Sequence, residues 1–397
     1  MFRIALVVSH PIQHFCPQYA SFSKDKSIEF KVYFASALGK EKYYDANFKM
    51  EIAWSNLYLD QFDHHFLNGD QVLQSNRELD APSLEMELQN YEPDLLIVYG
   101  YFQKLQRRAY RWAFNNGVKL AYISDSELRH KRNFLKEYLK YFYITKHFSK
   151  IDYFLTVGNA NEDFYKYYGV PSASMIRMHF PIDLQLYEKT FQLRGSLRNE
   201  IRLKYVISGN ECVISVVGKL VPWKNQDHLI DVLYLLENED ISLHVFVIGS
   251  GEMMEVWRAK ASKLKRSKVH FVGFVDSGDL PAFYAATDIY VHPASVEPHS
   301  IAVSEAIYMG CPVIVSDRCG SYGETDDVQE GKNGCVFKFG DIDSLAEKIC
   351  LLVNDAAMRS RFGQYSRQLG LQFQERAHHG LVEKLIKNLI VAKSDAV

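Results

Sequence analysis

The feature that most limits what this 397-residue chain can fold into is a series of short, unbroken apolar runs separated by helical patterns. The first half carries them at Ile4 to Val8, Phe30 to Phe34, Leu95 to Tyr99, Leu120 to Ile123 and Tyr153 to Val157. The second half repeats the theme at Val213 to Val217, His244 to Ile248, Val269 to Val272, Ile289 to His292 and Pro312 to Val315. Strands that are apolar throughout, rather than on alternate residues, are buried on both faces, as parallel strands under helices are. Helical patterns fall between them, at Gln226 to Leu236, Met253 to Leu264, Leu280 to Ala286 and Ser304 to Met309. The expected fold class is therefore α/β, with two doubly wound halves. The first is expected over residues 1–190 and the second over 191–373, joined in the polar stretch Gln185 to Lys204. A tail over 374–397, with Leu381, Leu385, Ile386 and Leu389 at helical spacing, reads as a final helix.

Composition narrows the functional classes. Apolar content of 47% and charged content of 24% are those of a soluble globular protein, and the length suits two domains of ordinary size. A net charge of −2 gives no overall nucleic-acid footprint. No apolar run approaches the ~20 residues of a membrane span. The opening MFRIALVVSHP reads as a buried first strand rather than a secretory signal. Six cysteines without a CxxC pair point to reduced thiols in the cytoplasm.

The stretch from Ser295 to Asp317, SVEPHSIAVSEAIYMGCPVIVSD, carries the chemistry. Glu297 lies in a Pro/His/Ser turn after an apolar run, and Glu305 heads the expected helix that ends at Gly310. In open α/β sheets ligands bind outside the carboxyl ends of the strands, and a helix N-terminus there favours an anion. Carboxylates beside such an anion site suit a ligand with both phosphates and hydroxyls, as a nucleotide sugar has. Upstream, Lys219 and Lys224 follow the run Val213 to Val217, five apart in one loop, where both can reach one diphosphate. Gly249 and Gly251 follow the next run and allow a tight turn or close approach of a ligand.

These blocks, VVGKLVPWKN, VFVIGSGE, VHFVGFV and the Glu297/Glu305 stretch, occur in an order that resembles the family-4 glycosyltransferases. Those are retaining nucleotide-sugar enzymes of the GT-B fold, two Rossmann-like domains facing across a cleft. The resemblance covers about Val213 to Phe373 well and the first half loosely. It implies a donor site at Gly218, Lys219, Lys224, Gly249, Gly251, Phe274, Glu297, His299, Ser300, Ile301 and Glu305. Lys219 and Lys224 would meet the diphosphate, Glu305 the ribose, Glu297 the sugar hydroxyls and Phe274 the nucleobase side. The catalytic set would be Glu297, Lys224 and Lys219, without a covalent nucleophile. The resemblance further implies that the final helix packs back on the first domain.

The chain departs from the family pattern in two places. Lys219 stands where arginine is usual, and a lysine cannot make the bidentate fork. Pro298-His299-Ser300 replaces the usual Gly-Phe-Gly, so one backbone donor is lost and a titratable ring is gained.

The activity so implied is transfer from a nucleoside-diphosphate sugar, a UDP-sugar in the expected case, to a glycan or lipid-linked glycan in surface polysaccharide synthesis. A non-catalytic nucleotide-sugar-binding subunit and a GT-B sugar-nucleotide epimerase remain open alternatives. No cofactor and no metal are expected. Asp341-Ile342-Asp343 precedes a helix and reads as a cap, and His10 and His14 lack the acidic partner of a helical zinc motif. His10, Gln13 and His14 follow the first strand and are the acceptor-side candidates. Residues 104–150 hold twelve Lys or Arg against three acids, interleaved with Tyr and Phe, a composition suited to an anionic membrane surface. The expected location is the cytoplasm, peripheral to the inner face of the cell membrane.

Overall fold

The computed structural model describes residues 1–129, 134–237, 239 and 241–394. In the first domain the strands are β1 (Phe2–Val8), β2 (Ile28–Phe34), β3 (Tyr43–Asp45), β4 (Met50–Ile52), β5 (Asp63–Phe66), β6 (Leu95–Tyr99), β7 (Lys119–Ile123), β8 (Tyr153–Thr156) and β9 (Met175–Arg177). All but β3 and β4 form one parallel sheet in the order β5-β2-β1-β6-β7-β8-β9. The second domain adds β10 (Val213–Val217), β11 (His244–Ile248), β12 (Lys268–Gly273), β13 (Ile289–His292), β14 (Val313–Ser316) and β15 (Gly334–Phe337). These too are parallel, in the order β12-β11-β10-β13-β14-β15.

The apolar runs form strands because each sheet is covered on both sides. Ile4, Leu6 and Val8 enter one core and Ala5 and Val7 another. In the second sheet Val213 and Val315 face one core while Ile214, Val216 and Ile314 face the other. The strand order reverses direction at β1/β6 and at β10/β13, and such switch points are where open α/β sheets bind ligands.

The chain crosses between domains twice. The first crossing is at 179–183, not near residue 190, because Ile182 and Tyr187 already belong to the second core. The polar stretch expected as a linker is instead two helices, Leu184–Gln192 and Arg194–Lys204, packed on Leu280–Ala286. The second crossing follows the helix Ala356–Glu375, through a widened turn at Arg376–Gly380, into Leu381–Ser394. That last helix buries Leu381, Val382, Leu385 and Leu389 in the first domain's core. The two crossings are clasped together. Gln374 accepts from the Ile182 N–H at 2.9 Å and donates to the Phe180 carbonyl at 2.9 Å. His179, held at φ 63°, stacks on Phe373 at 3.8 Å.

Candidate functional site

The loops at the two switch points face one another across a cavity of about 340 Å³. From the second domain Gly218, Lys219, Lys224, Gly249, Phe274, Glu297, His299, Ser300, Ile301 and Glu305 line it. From the first domain come Gln13 and His14, with Phe48, Trp54 and Asn56 beyond the set expected from sequence. Two expected residues are not in its lining. Gly251 is conformational: a Cβ there would lie 2.4 Å from the Leu220 carbonyl oxygen, so it is the Leu220 loop that approaches closely, not a ligand. At Gly249 the clash would be with the Gly218 carbonyl, at 1.9 Å. His10 turns aside to hydrogen-bond Ser9 Oγ at 2.8 Å.

Lys224 closes a short 3₁₀ turn, Pro222–Lys224, after which Asn225 adopts φ 50°. The Ser295 N–H donates to the Trp223 carbonyl at 2.9 Å and lies 3.1 Å from Asn225 Oδ1. This ties the β10 loop to the β13 loop and brings Lys224 Nζ into a close ion pair with Glu297 Oε2. His292, the last residue of β13, reaches the same oxygen at 3.0 Å. Burial pushes the Glu297 carboxyl up, but Lys224 and the His292 hydrogen bond outweigh it and hold the group down at about 2. Glu297 is thus a charged carboxylate at any physiological pH.

Glu305 behaves in the opposite way. The helix begins at Ile301, three residues earlier than its composition suggests, because Ser300 stays extended (φ −109°, ψ 115°) and serves as the cap. Glu305 therefore sits in the second turn, not at the helix start, and the dipole is not what holds it. Its Oε2 accepts from the Tyr284 hydroxyl at 2.9 Å, and burial pushes the carboxyl up to about 7. The first turn of the helix, Ser300 to Ala302, faces the cavity and supplies the positive end.

His299 is wholly enclosed. Its Nε2 lies 3.1 Å from Asp326 Oδ1 and 3.8 Å from Asp327 Oδ2. Burial favours its neutral form, but the two carboxylates outweigh that and raise its pKa. Among the described residues this trio alone has ligand atoms close enough to hold a metal. Most of its oxygens are engaged: Asp326 Oδ2 accepts from the Asn159 N–H at 2.6 Å and Asp327 Oδ2 accepts from Ser304 Oγ at 2.6 Å, while Asp327 Oδ1 and His299 Nδ1 are buried without a partner. The trio thereby bolts the turn after Pro298 to the first domain. Asp341 of the Asp-x-Asp triplet caps its helix, accepting from the Ser344 N–H at 2.9 Å.

On the facing side, burial draws His10 and His14 down to about 4, so both rings are neutral at pH 7. His14 Nε2 and Gln13 Nε2 are buried without a hydrogen-bond partner. Two groups at the site escaped the sequence reading. Asp125, one of the three acids within residues 104–150, is buried, which raises its pKa, and it feels the charges of Glu297 and His299. Asp45, on a hairpin with no apolar run to flag it, pairs with Lys219 at 3.1 Å.

The basic–aromatic segment is narrower than its composition suggests. Tyr110, Trp112 and Phe148 are core residues. Lys104, Arg108 and Lys119 are paired with Glu78, with Asp80 and Glu85, and with Asp152. The part that stays outward is the helix Phe134–Phe148, where Tyr138, Leu139, Phe142 and Tyr143 are each more than half exposed. Residues 130–133, which carry Lys131 and Arg132 of this segment, lie outside the described residues. No described helix is long and apolar enough to cross a membrane.

Two Rossmann-like domains of parallel strands, with a cavity between facing switch points, define the GT-B class. Residues 198–369, most of the second domain, match the family model of the glycosyl transferases group 1. The chain is 28% identical to spore coat protein SA of Bacillus subtilis over 47% of this chain and 51% of that one. It is 27% identical to the GDP-mannose-dependent alpha-(1-6)-phosphatidylinositol monomannoside mannosyltransferase of Mycobacterium tuberculosis, over 50% of this chain and 51% of that one. The chain spans about half the length of these curated relatives. Among solved structures, Anabaena HepE in complex with UDP superposes with a TM-score of 0.70 at 16% identity, covering 99% of this chain and 100% of that one.

Proposed function

We propose that this protein is a retaining glycosyltransferase that moves a sugar from a nucleoside-diphosphate sugar to a glycan or lipid-linked acceptor. The observation that carries the reading is the Lys224–Glu297–His292 cluster at the β10/β13 switch point, beside Lys219 and a helix N-terminus. Leaving-group charge would fall on Lys219, Lys224 and the first turn of the helix, groups that line one cavity before any substrate arrives. Such prearranged donors lower the barrier because they strengthen as charge develops. As the diphosphate takes Lys224, Glu297 keeps only His292, and its negative charge faces the sugar, where positive charge grows at the anomeric carbon. Glu305, close to its titration midpoint at pH 7, accepts hydroxyls of the ribose. The orphaned nitrogens of Gln13 and His14 are suited to donate to, or accept from, hydroxyls of the acceptor.

Two relatives support the donor class: one is named for GDP-mannose and the other was solved with UDP. The base and the sugar are settled by incubating the protein with a panel of UDP-, GDP- and ADP-sugars in metal-free buffer with EDTA. The product's anomeric configuration is read by NMR. Retention without added metal is the expected result. Inversion, a free isomerised donor, or activity that needs magnesium or manganese would replace the reading.

The acceptor is proposed to lie at an anionic membrane surface, which the relative named for phosphatidylinositol monomannoside supports. The exposed rings of Tyr138 and Phe142 beside Lys146 and Lys150 suit it, at about 1 kcal/mol per charge near the headgroups. The protein should float with vesicles containing anionic lipid and be released at several hundred millimolar salt, where charges are screened within about 5 Å. A Tyr138→Glu/Phe142→Glu variant should remain in solution. If the wild type ignores such vesicles at low salt, the acceptor is soluble.

A further inference from the structure

We infer that the nucleobase of the donor is held by both domains, in an aromatic box closed by a strap from the first domain, residues 43–58. This rests on the donor class proposed above. The strap contains the hairpin β3/β4, register Tyr43↔Ile52 to Asp45↔Met50, and it is not part of either large sheet. It touches the second domain in three successive places. Asp45 takes Lys219, whose ammonium also lies 4.8 Å from the Phe48 ring. Phe48 and Trp54 meet Phe274, at ring separations of 5.3 and 6.3 Å. Ser55 Oγ donates to the Asp276 carboxylate.

The orientation of Trp54 is built into the chain. Its backbone N–H donates to the Gly39 carbonyl at 3.0 Å, and its indole lies where a side chain at residue 39 would be, 2.7 Å from a Cβ placed there. The three rings of the box are none of them fully buried, and all line the same cavity as Lys219 and Lys224. Asn56, with an amide able both to donate and to accept, lines that end as well. Rings with an open face, next to a polar edge and within one cavity of a diphosphate site, fit a planar heterocycle. Stacking on aromatic side chains gives affinity for any base, and the amide supplies discrimination between them. Phe274 alone belongs to the second domain, so a domain built only from residues 198–369 would have an incomplete box.

The test uses the full chain and calorimetric titration with UDP, GDP, ADP and inorganic diphosphate. Trp54→Ala and Phe48→Ala should each weaken the best-bound nucleotide about tenfold or more and leave inorganic diphosphate unchanged. Trp54→Phe, which keeps a ring, should restore most of the affinity. It should also abolish the nucleotide-dependent change in tryptophan emission, a readout that a general loss of packing would not remove selectively. Asn56→Ala should narrow the difference between bases. Nucleotide affinities within twofold of wild type in both alanine variants, while Lys224→Ala loses binding, would overturn the box and leave the donor class standing. A wild type that binds none of the nucleotides overturns both.

Discussion

The two switch points are built alike and charged differently. Behind β10 and β13 the loops carry Lys219, Lys224, Glu297 and His292, with ions already paired before any ligand is bound. Behind β1 the loop carries His10, Gln13 and His14, neutral at pH 7 and with polar nitrogens left over. A site that must neutralise a leaving diphosphate needs fixed charge, and a buried charge persists only when paired. A site that receives hydroxyls needs neutral groups that can donate or accept, and burial keeps imidazoles in that form. On the proposed function, one fold repeated twice would supply two chemistries by loop composition alone.

The sharpest way to break this contrast is to remove the charge on the second side. Lys224→Ala should lower turnover by about 10²–10³, the size expected for loss of one transition-state donor. It should also free Glu297, whose carboxyl then rises from about 2. Steady-state rates in the folded variant check it, and near-wild-type turnover would show that the pair serves only structure.

The next effect concerns stability. Glu305 is pushed up to about 7 when folded, above its ordinary 4.5. Between those values the folded protein holds the proton more tightly than the unfolded chain, so stability falls as pH rises. The loss should total about 3 kcal/mol by pH 8. In Glu305→Gln it should vanish, leaving a flatter dependence of Tm on pH between 5 and 8. Parallel curves for the two proteins would place the titration elsewhere.

The smallest effect sharpens the comparison. Asp45 occupies Lys219 from across the cleft, as a carboxylate standing where an anionic ligand would be. Exposed pairs contribute roughly 0.2–1 kcal/mol; this one, with Lys219 33% and Asp45 12% exposed, should be at the upper end of that range, so Asp45→Asn should tighten nucleoside diphosphate binding about two- to fivefold. Weaker binding would mean that Asp45 orients Lys219 rather than competing for it.

Most of the sheet framework was legible because parallel strands buried on both faces write themselves as apolar runs: Leu95–Tyr99, Val213–Val217, His244–Ile248 and Ile289–His292 fall where their composition puts them. The elements that escaped are those whose partners lie elsewhere in the chain. β5, β9 and β15 are edge strands paired on one side only, and β3 and β4 pair only with each other, with Asp45 of β3 and Phe48 of the turn reaching the second domain. The helix starts at Ile301 rather than Ser304 because its cap, Ser300, stands inside the polar turn Pro298-His299-Ser300, where nothing local separates turn from cap. In the site, the spacing of Lys219, Lys224, Glu297 and Glu305 was visible. The opposed environments of the two glutamates were not, since Tyr284 and His292 arrive from other elements.

The returning helix Leu381–Ser394 has a consequence for how this protein is made. It completes the core of the domain that the ribosome delivers first, yet it is translated after the whole of the second domain. At about 5–20 residues per second, the nascent first domain waits on the order of ten seconds with Ile4, Phe30 and Leu155 short of their last cover. The second domain's core clusters draw on residues only as far as Phe373, so that domain can close first. A ribosome stalled before residue 381 would hold a chain whose first half is a client for chaperones rather than a finished domain.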